Sequence, residues 1–135
     1  MHLGVVIPRT GTHDPTDLAV SAEAQGYDSV WMGELWGSSA VVKLSEIAAL
    51  TDEVELGTAI VNVFSRTPAV LAMTAATLDR VADGRATLGV GTSTPTAIEN
   101  VHGLSFERPV RRSHETIEII QRILTDDEPV DYDGE

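Results

Sequence analysis

Four times along 135 residues a short apolar run gives way to a polar loop and then to a stretch of helical period, and nothing else in the chain constrains its fold so tightly. The apolar runs are HLGVVI (2–7), DSVWM (28–32), VELGTAIV (54–61) and RATLGVG (85–91). The first hardly alternates, which predicts a strand buried on both faces. Asp14 stands as an N-cap before Pro15, and Pro68 opens a later helix, because the first turn leaves unused the N–H that proline lacks. Gly26 and Gly84 mark the exits. The spacing predicts helices from 15 to about 25, from 40 to 50, from 68 to 84 and from 109 to 124, with a short helical piece between 92 and 103. The stripes expected to face inward are Val41, Leu44, Ile47 and Ala48, then Leu71, Ala75, Leu78 and Ala82, then Val110, Ile117, Ile120 and Leu124.

Such alternation makes a parallel sheet with right-handed crossovers and helices outside it. An open doubly wound sheet and part of a (β/α)8 barrel both satisfy the pattern. All four strands end in polar segments, three of them containing glycine, and no GxGxxG follows the first one, which favours the barrel. A complete barrel takes about 250 residues. The expected fold is therefore α/β, four βα units over residues 1–135 making half of a TIM barrel.

Charge narrows the partners. Asp and Glu number 21 against 9 Lys and Arg, a net charge of −12, and Lys43 is the single lysine. A surface of that sign repels phosphate backbones, so no nucleic-acid partner is expected. No run of about 18 apolar residues offers a membrane span, and the N-terminus lacks the regions of a signal peptide, so a cytoplasmic location is the expectation. The chain has no cysteine, which excludes disulfides, thiolate catalysis and Cys-ligated metals. His2, His13, His102 and His114 show no ligand spacing, so no metal is expected. Excess acid with almost no lysine resembles proteins of salt-loving organisms, in which salt screens self-repulsion.

Residues 57–91, GTAIVNVFSRTPAVLAMTAATLDRVADGRATLGVG, carry Gly-Thr on the third strand, Arg-x-Pro before the helix, Leu-Asp inside it, then Gly-Arg and Leu-Gly-x-Gly. This set resembles the N-terminal half of the luciferase-like monooxygenase superfamily, and the likeness extends over the whole chain, including VWMGELW and the helix with Arg112 and Glu115. The resemblance implies a (β/α)8 barrel that binds FMN or the deazaflavin coenzyme F420 and moves a hydride or oxygen to or from a small organic substrate. The acidic composition favours coenzyme F420, with FMN as the alternative. In this frame Ala69, Ala72, Ala75 and Ala76 let the third helix approach a strand closely, and Asp83 and Arg85 mark the bottom turn. Chemistry belongs at the opposite rim, where strands end in their βα loops.

The rim candidates carry paired readings. Glu34 is a cofactor contact or a solvated loop acid. Asn62, where the family often has a strained peptide against the ring, is a ring-facing amide or a turn former. Gly91, Thr92 and Ser93 present N–H groups and hydroxyls to the ring's polar edge, or the hydroxyls cap the following helix. Trp36 and Phe64 wall a substrate pocket or simply pack. Arg9 meets an anionic substrate or the cofactor's tail, and Arg66 anchors the loop before Pro68. Sugar-phosphate dehydrogenases of the superfamily carry a histidine at the place of Leu35 and a carboxylate at the place of Thr94, so that activity is not expected.

VDYDGE (130–135) resembles the first strand of a hairpin that the family inserts after its fourth helix. Strands five to eight and their phosphate-binding region have no counterpart. A half barrel leaves two sheet edges and an apolar face open, so the chain is expected to be part of a longer product, or to pair with a separate C-terminal half or with itself. The competing function is a non-catalytic assembly module, and an ordinary α/β binding domain is a third reading.

Overall fold

The computed structural model describes residues 1–8, 11, 13–126 and 130–134. The units form as β1 (Gly4–Val6), α1 (Pro15–Ala24), β2 (Ser29–Met32) and α2 (Ala40–Ala48). A third strand line is made of β3 (Glu55–Thr58) and β4 (Val61–Asn62), followed by α3 (Pro68–Val81). A fourth is made of β5 (Ala86–Thr87) and β6 (Val90–Gly91), followed by a π-helical turn (Ala97–Val101) and α4 (Pro109–Thr125). The helix starts use the expected chemistry: Asp14 accepts from the Thr16 amide at 2.8 Å, and the hydroxyls of Ser39 and Thr67 accept from Val42 and Val70. Gly26 and Gly84 leave their helices at φ 81°, a left-handed conformation that only glycine adopts at no steric cost.

All strand pairs are parallel, in the order β1-β2-β3-β5, with β4 beside β6. Chain order is thus spatial order. A doubly wound sheet reverses direction at a switch point, whereas a barrel keeps stepping one way, so the sequential order decides for the half barrel. Consecutive helices lie side by side, α1 on α2, α2 on α3 and α3 on α4. Between them and the outer face of the sheet sits the main core, in which Val30, Met32, Leu44, Ile47 and Leu56 are fully buried.

The concave face is different. Alternation places Gly4, Val6, Ser29, Trp31, Glu55, Gly57 and Thr87 there. The Trp31 indole lies across Gly57, where a Cβ would collide with its ring, and its Nε1 donates to Ser29 Oγ at 2.9 Å. Val6 is 63% exposed. The first strand is therefore not buried on both faces, as its sequence suggested, because none of the described residues covers Val6 on the concave side.

Four other expectations are corrected. The third and fourth strands are each broken, at residues 59–60 and 88–89, where the chain kinks to form the rim. On α4, Val110, Ile117 and Leu124 are exposed, while Thr116 is buried and Ile120 and Ile123 meet α3 and the strands, so only Ile120 of the expected stripe is buried. On α3, Ala72 makes the close approach, but Ala69 and Ala76 face solvent. Residues 130–134 form no strand; instead Tyr132 donates to Glu118 and lies under Arg122 on α4.

Candidate functional site

At the C-terminal ends of the strands the third line kinks sharply. Ile60 has φ 138°, an outlier for a β-branched residue that costs on the order of 1–3 kcal/mol. Its neighbours fix it from several sides. Ala59 N–H donates to Met32 O at 2.7 Å, Val61 N–H to Gly89 O at 3.0 Å, and Glu34 N–H to Ile60 O at 3.1 Å. The Thr58 hydroxyl donates to Gly89 O at 2.8 Å and accepts from Gly89 N–H at 2.7 Å. Only glycine fits at 89, since a Cβ would land on Thr58 O, and the Ile60 side chain lies 3.3 Å from where a Cβ on Gly91 would be.

Glu34 is not a solvated acid. Its Oε1 accepts from Arg66 Nη1 at 2.5 Å and its Oε2 from the Ala40 amide at 2.9 Å, at the start of α2. The side chains are 13% and 22% exposed. Burial pushes the Glu34 carboxyl up, but the Arg66 guanidinium and the Ala40 amide outweigh burial and hold it below its ordinary range. Arg66 anchors its loop as expected, through a partner on the neighbouring βα loop that sequence did not suggest.

Asn62 is buried, with Oδ1 accepting from the Phe64 and Ser65 amides at 3.1 and 2.8 Å, so its oxygen forms the turn. Gly91, Thr92 and Ser93 line the rim half-buried, with Ser93 at φ 59°. The capping role falls to neither hydroxyl: Thr94 Oγ1 accepts from the Ala97 amide at 3.2 Å. Trp36 is 59% exposed on its loop. Phe64 is buried, stacked on Phe106 at 5.0 Å between ring centroids, with the Arg112 guanidinium 4.8 Å over its ring. Arg9 lies outside the described residues.

A cavity of about 440 Å³ opens where the loop following Asn62 meets the first turns of α4. Arg66, Arg108, Arg111 and Arg112 line it, against Glu107 and Glu115. Four of the nine basic residues of a chain with net charge −12 thus converge on one cavity. Sequence reasoning passed over this group, although three arginines within 108–112 of so acidic a chain were a visible signal. Guanidinium groups gathered in this way suit a phosphate or carboxylate. Among the described residues no group of three or more His, Asp or Glu is placed to hold a metal, and no helix is long and apolar enough to cross a membrane.

A sequential parallel sheet with its helices outside and its irregular backbone confined to the C-terminal rim is half of a (β/α)8 barrel, a class whose sites lie at that rim. The model of the luciferase-like monooxygenase family matches residues 2–135, and the chain belongs to that family. It is 36% identical over 137 residues to a Mycobacterium tuberculosis protein provisionally named a coenzyme F420-dependent oxidoreductase, a match covering 99% of this chain and 40% of that one. It is 34% identical over 115 residues to 5,10-methylenetetrahydromethanopterin reductase of Archaeoglobus fulgidus, covering 84% of this chain and 34% of the reductase. An F420-dependent secondary alcohol dehydrogenase, solved with an F420-acetone adduct, superposes with a TM-score of 0.86 at 25% identity, over 98% of this chain and 44% of the dehydrogenase. The chain thus spans less than half the length of these relatives.

Proposed function

We propose that this chain supplies half of the mouth of an oxidoreductase that uses coenzyme F420, with FMN the second choice, to move a hydride or oxygen to or from a small organic substrate. The observation that carries the reading is the reversal of charge at the rim, where four arginines gather in a strongly acidic chain. Both cofactors are planar rings on a phosphate-bearing arm, and the residues present fit both parts. Arg108, Arg111 and Arg112 suit the arm. Gly91, Thr92 and Ser93 offer N–H groups and hydroxyls to the ring's polar edge, and the kinked segment from Ile60 to Asn62 offers it a wall. When bound, the cofactor supplies the hydride donor or acceptor; the protein's part is orientation and exclusion of water. Leu35 and Thr94 offer no proton-transfer group, which turns the reading away from sugar phosphates. The relatives named for F420 support the preference for the deazaflavin, and the acid-rich composition suits a salt-rich cytoplasm.

The uncovered concave face, with Val6 and Trp31, favours a second element in the reading. The working mouth requires a C-terminal half barrel, or a second copy of this chain, against that face. A half barrel that assembles without cofactor chemistry is the competing function. Titration of the purified chain with coenzyme F420 and with FMN, followed by fluorescence and by the mass of each complex, separates these. Stoichiometric binding is expected with F420 ahead of FMN once the concave face is covered. A folded assembly that is closed yet binds neither would sink the enzymatic reading.

A further inference from the structure

We infer that Glu34 and Arg66 are positioning residues: together they form a tie that holds the strained Ile60 backbone in the shape of the rim. Glu34 touches three elements at once. Its backbone N–H holds Ile60 O at 3.1 Å, and its carboxylate reaches the Ala40 amide at the head of α2 and Arg66 beyond β4. Both carboxylate oxygens are engaged inside the protein, so the group is committed to the chain itself rather than offered to a ligand.

Ile60 would relax toward ordinary extended backbone if its carbonyl were free to turn, since φ 138° is disfavoured for a branched side chain. The ladder bonds of Ala59 and Val61 fix the residues on either side of it, but its own carbonyl is held by Glu34 N–H. That amide stays in place because its side chain is pinned at two points. Arg66 thus acts on Ile60 at one remove, from the loop that opens α3. The tie also joins the two parts of the candidate site, because Arg66 lines the basic cavity while Ile60 packs over Gly91 at the mouth.

The tie is a statement about this chain's backbone and holds whether or not a cofactor binds; only its use, to present a fixed wall to the ring, rests on the function proposed above. NMR of the labelled chain tests it directly. In Arg66→Met and in Glu34→Gln, the Ile60 carbon shifts should move toward ordinary strand values and the Glu34 amide should exchange about tenfold faster, while amides of Val30 and Leu56 keep their protection. Arg66→Lys, which keeps the charge but not the planar fork, should restore part of the wild-type pattern. Lys43→Gln, which breaks an ion pair elsewhere on α2, should leave Ile60 untouched. If Arg66→Met does not fold, the near-isosteric Glu34→Gln still decides. Unchanged Ile60 shifts and Glu34 exchange in Glu34→Gln would overturn the tie. If the wild-type assembly binds cofactor and the released variants bind it equally well, the tie stands but its positioning use is overturned.

Discussion

The two ends of this half barrel solve opposite problems. At the bottom, Glu23 Oε1 accepts from the amides of Asp52, Glu53 and Val54 at 3.0, 2.7 and 2.9 Å. Arg85 there donates to the carbonyls of Val54, Thr51 and Ala48 and to the Thr51 hydroxyl. Asp79 completes the turn by accepting from the Ala86 amide at 3.2 Å. Every one of these charges is spent on backbone that the α2–β3 and α3–β5 turns would otherwise leave unpaired. Among the described residues, three of the four non-glycine residues with positive φ gather at the top, Ile60, Ser93 and Arg108, against Asp83 at the bottom. The basic cavity opens there as well. A family that varies its chemistry on one scaffold is served by concentrating stability at one end and backbone strain and the site's charges at the other. The difference is visible here within 135 residues.

If the bottom is the stabilising end, breaking it should cost most. Arg85→Ala leaves three carbonyls without their donor and should remove about 3 kcal/mol in urea unfolding, more than any single change at the rim. A smaller loss from Arg85→Ala than from Glu34→Gln would invert the comparison. Gly89→Ala probes the kink itself: its Cβ would strike Thr58 O, and the expected loss is about 1–3 kcal/mol.

Acid should touch both ends. For Glu23, burial raises the carboxyl but the three backbone amides and Arg85 outweigh it, and Glu34 is likewise held below its ordinary 4.5. A carboxyl depressed in the folded state contributes stability that is present above its unfolded pKa and lost as pH falls through the folded one. The urea midpoint should therefore hold above about pH 5 and decline below 4.5. In Glu34→Gln the decline should be shallower but not abolished, because Glu23 remains. The smallest stability effect is expected from Arg112→Gln, which gives up a half-exposed contact over Phe64 of about 0.5–1 kcal/mol. Its effect on function should be the reverse. Affinity for inorganic phosphate, read by NMR shift titration, should fall about tenfold, and an unchanged affinity would remove the cavity from the site.

Much of the bottom could be read in the sequence and much of the top could not. The exit glycines Gly26 and Gly84 at the bottom, and at the top only the helix starts Asp14–Pro15 and Pro68, are local signals whose chemistry is complete within one turn, so the βα units stood out from the residues alone. The Gly-Arg after α3 pointed to the bottom turn for the same reason. Ile60 gave no sign, because an isoleucine in an apolar run reads as ordinary strand, and its φ is set by distant segments: the crossing at Thr58 and Gly89 and the Glu34 amide on its carbonyl. The inward face of α4 was misassigned because its apolar arc is wide: Val110, Ile117, Ile120, Ile123 and Leu124 span it, and periodicity does not say which edge a neighbour will cover. Glu34 and Arg66 lie 32 residues apart on different loops, and no spacing links them.

By itself, then, the sequence determined the alternation of strands and helices, the places where helices begin and end, and the sign of the surface. These follow from short-range sterics, capping and side-chain period, which need no third dimension. The tertiary structure confirmed the half barrel that the sequence led one to expect, and it alone decided that the third and fourth strands break at the rim, that Glu34 is pinned rather than free, and that four arginines share one cavity. Those outcomes depend on which segments meet, and contact between distant segments is set by packing of the whole sheet rather than by any local pattern.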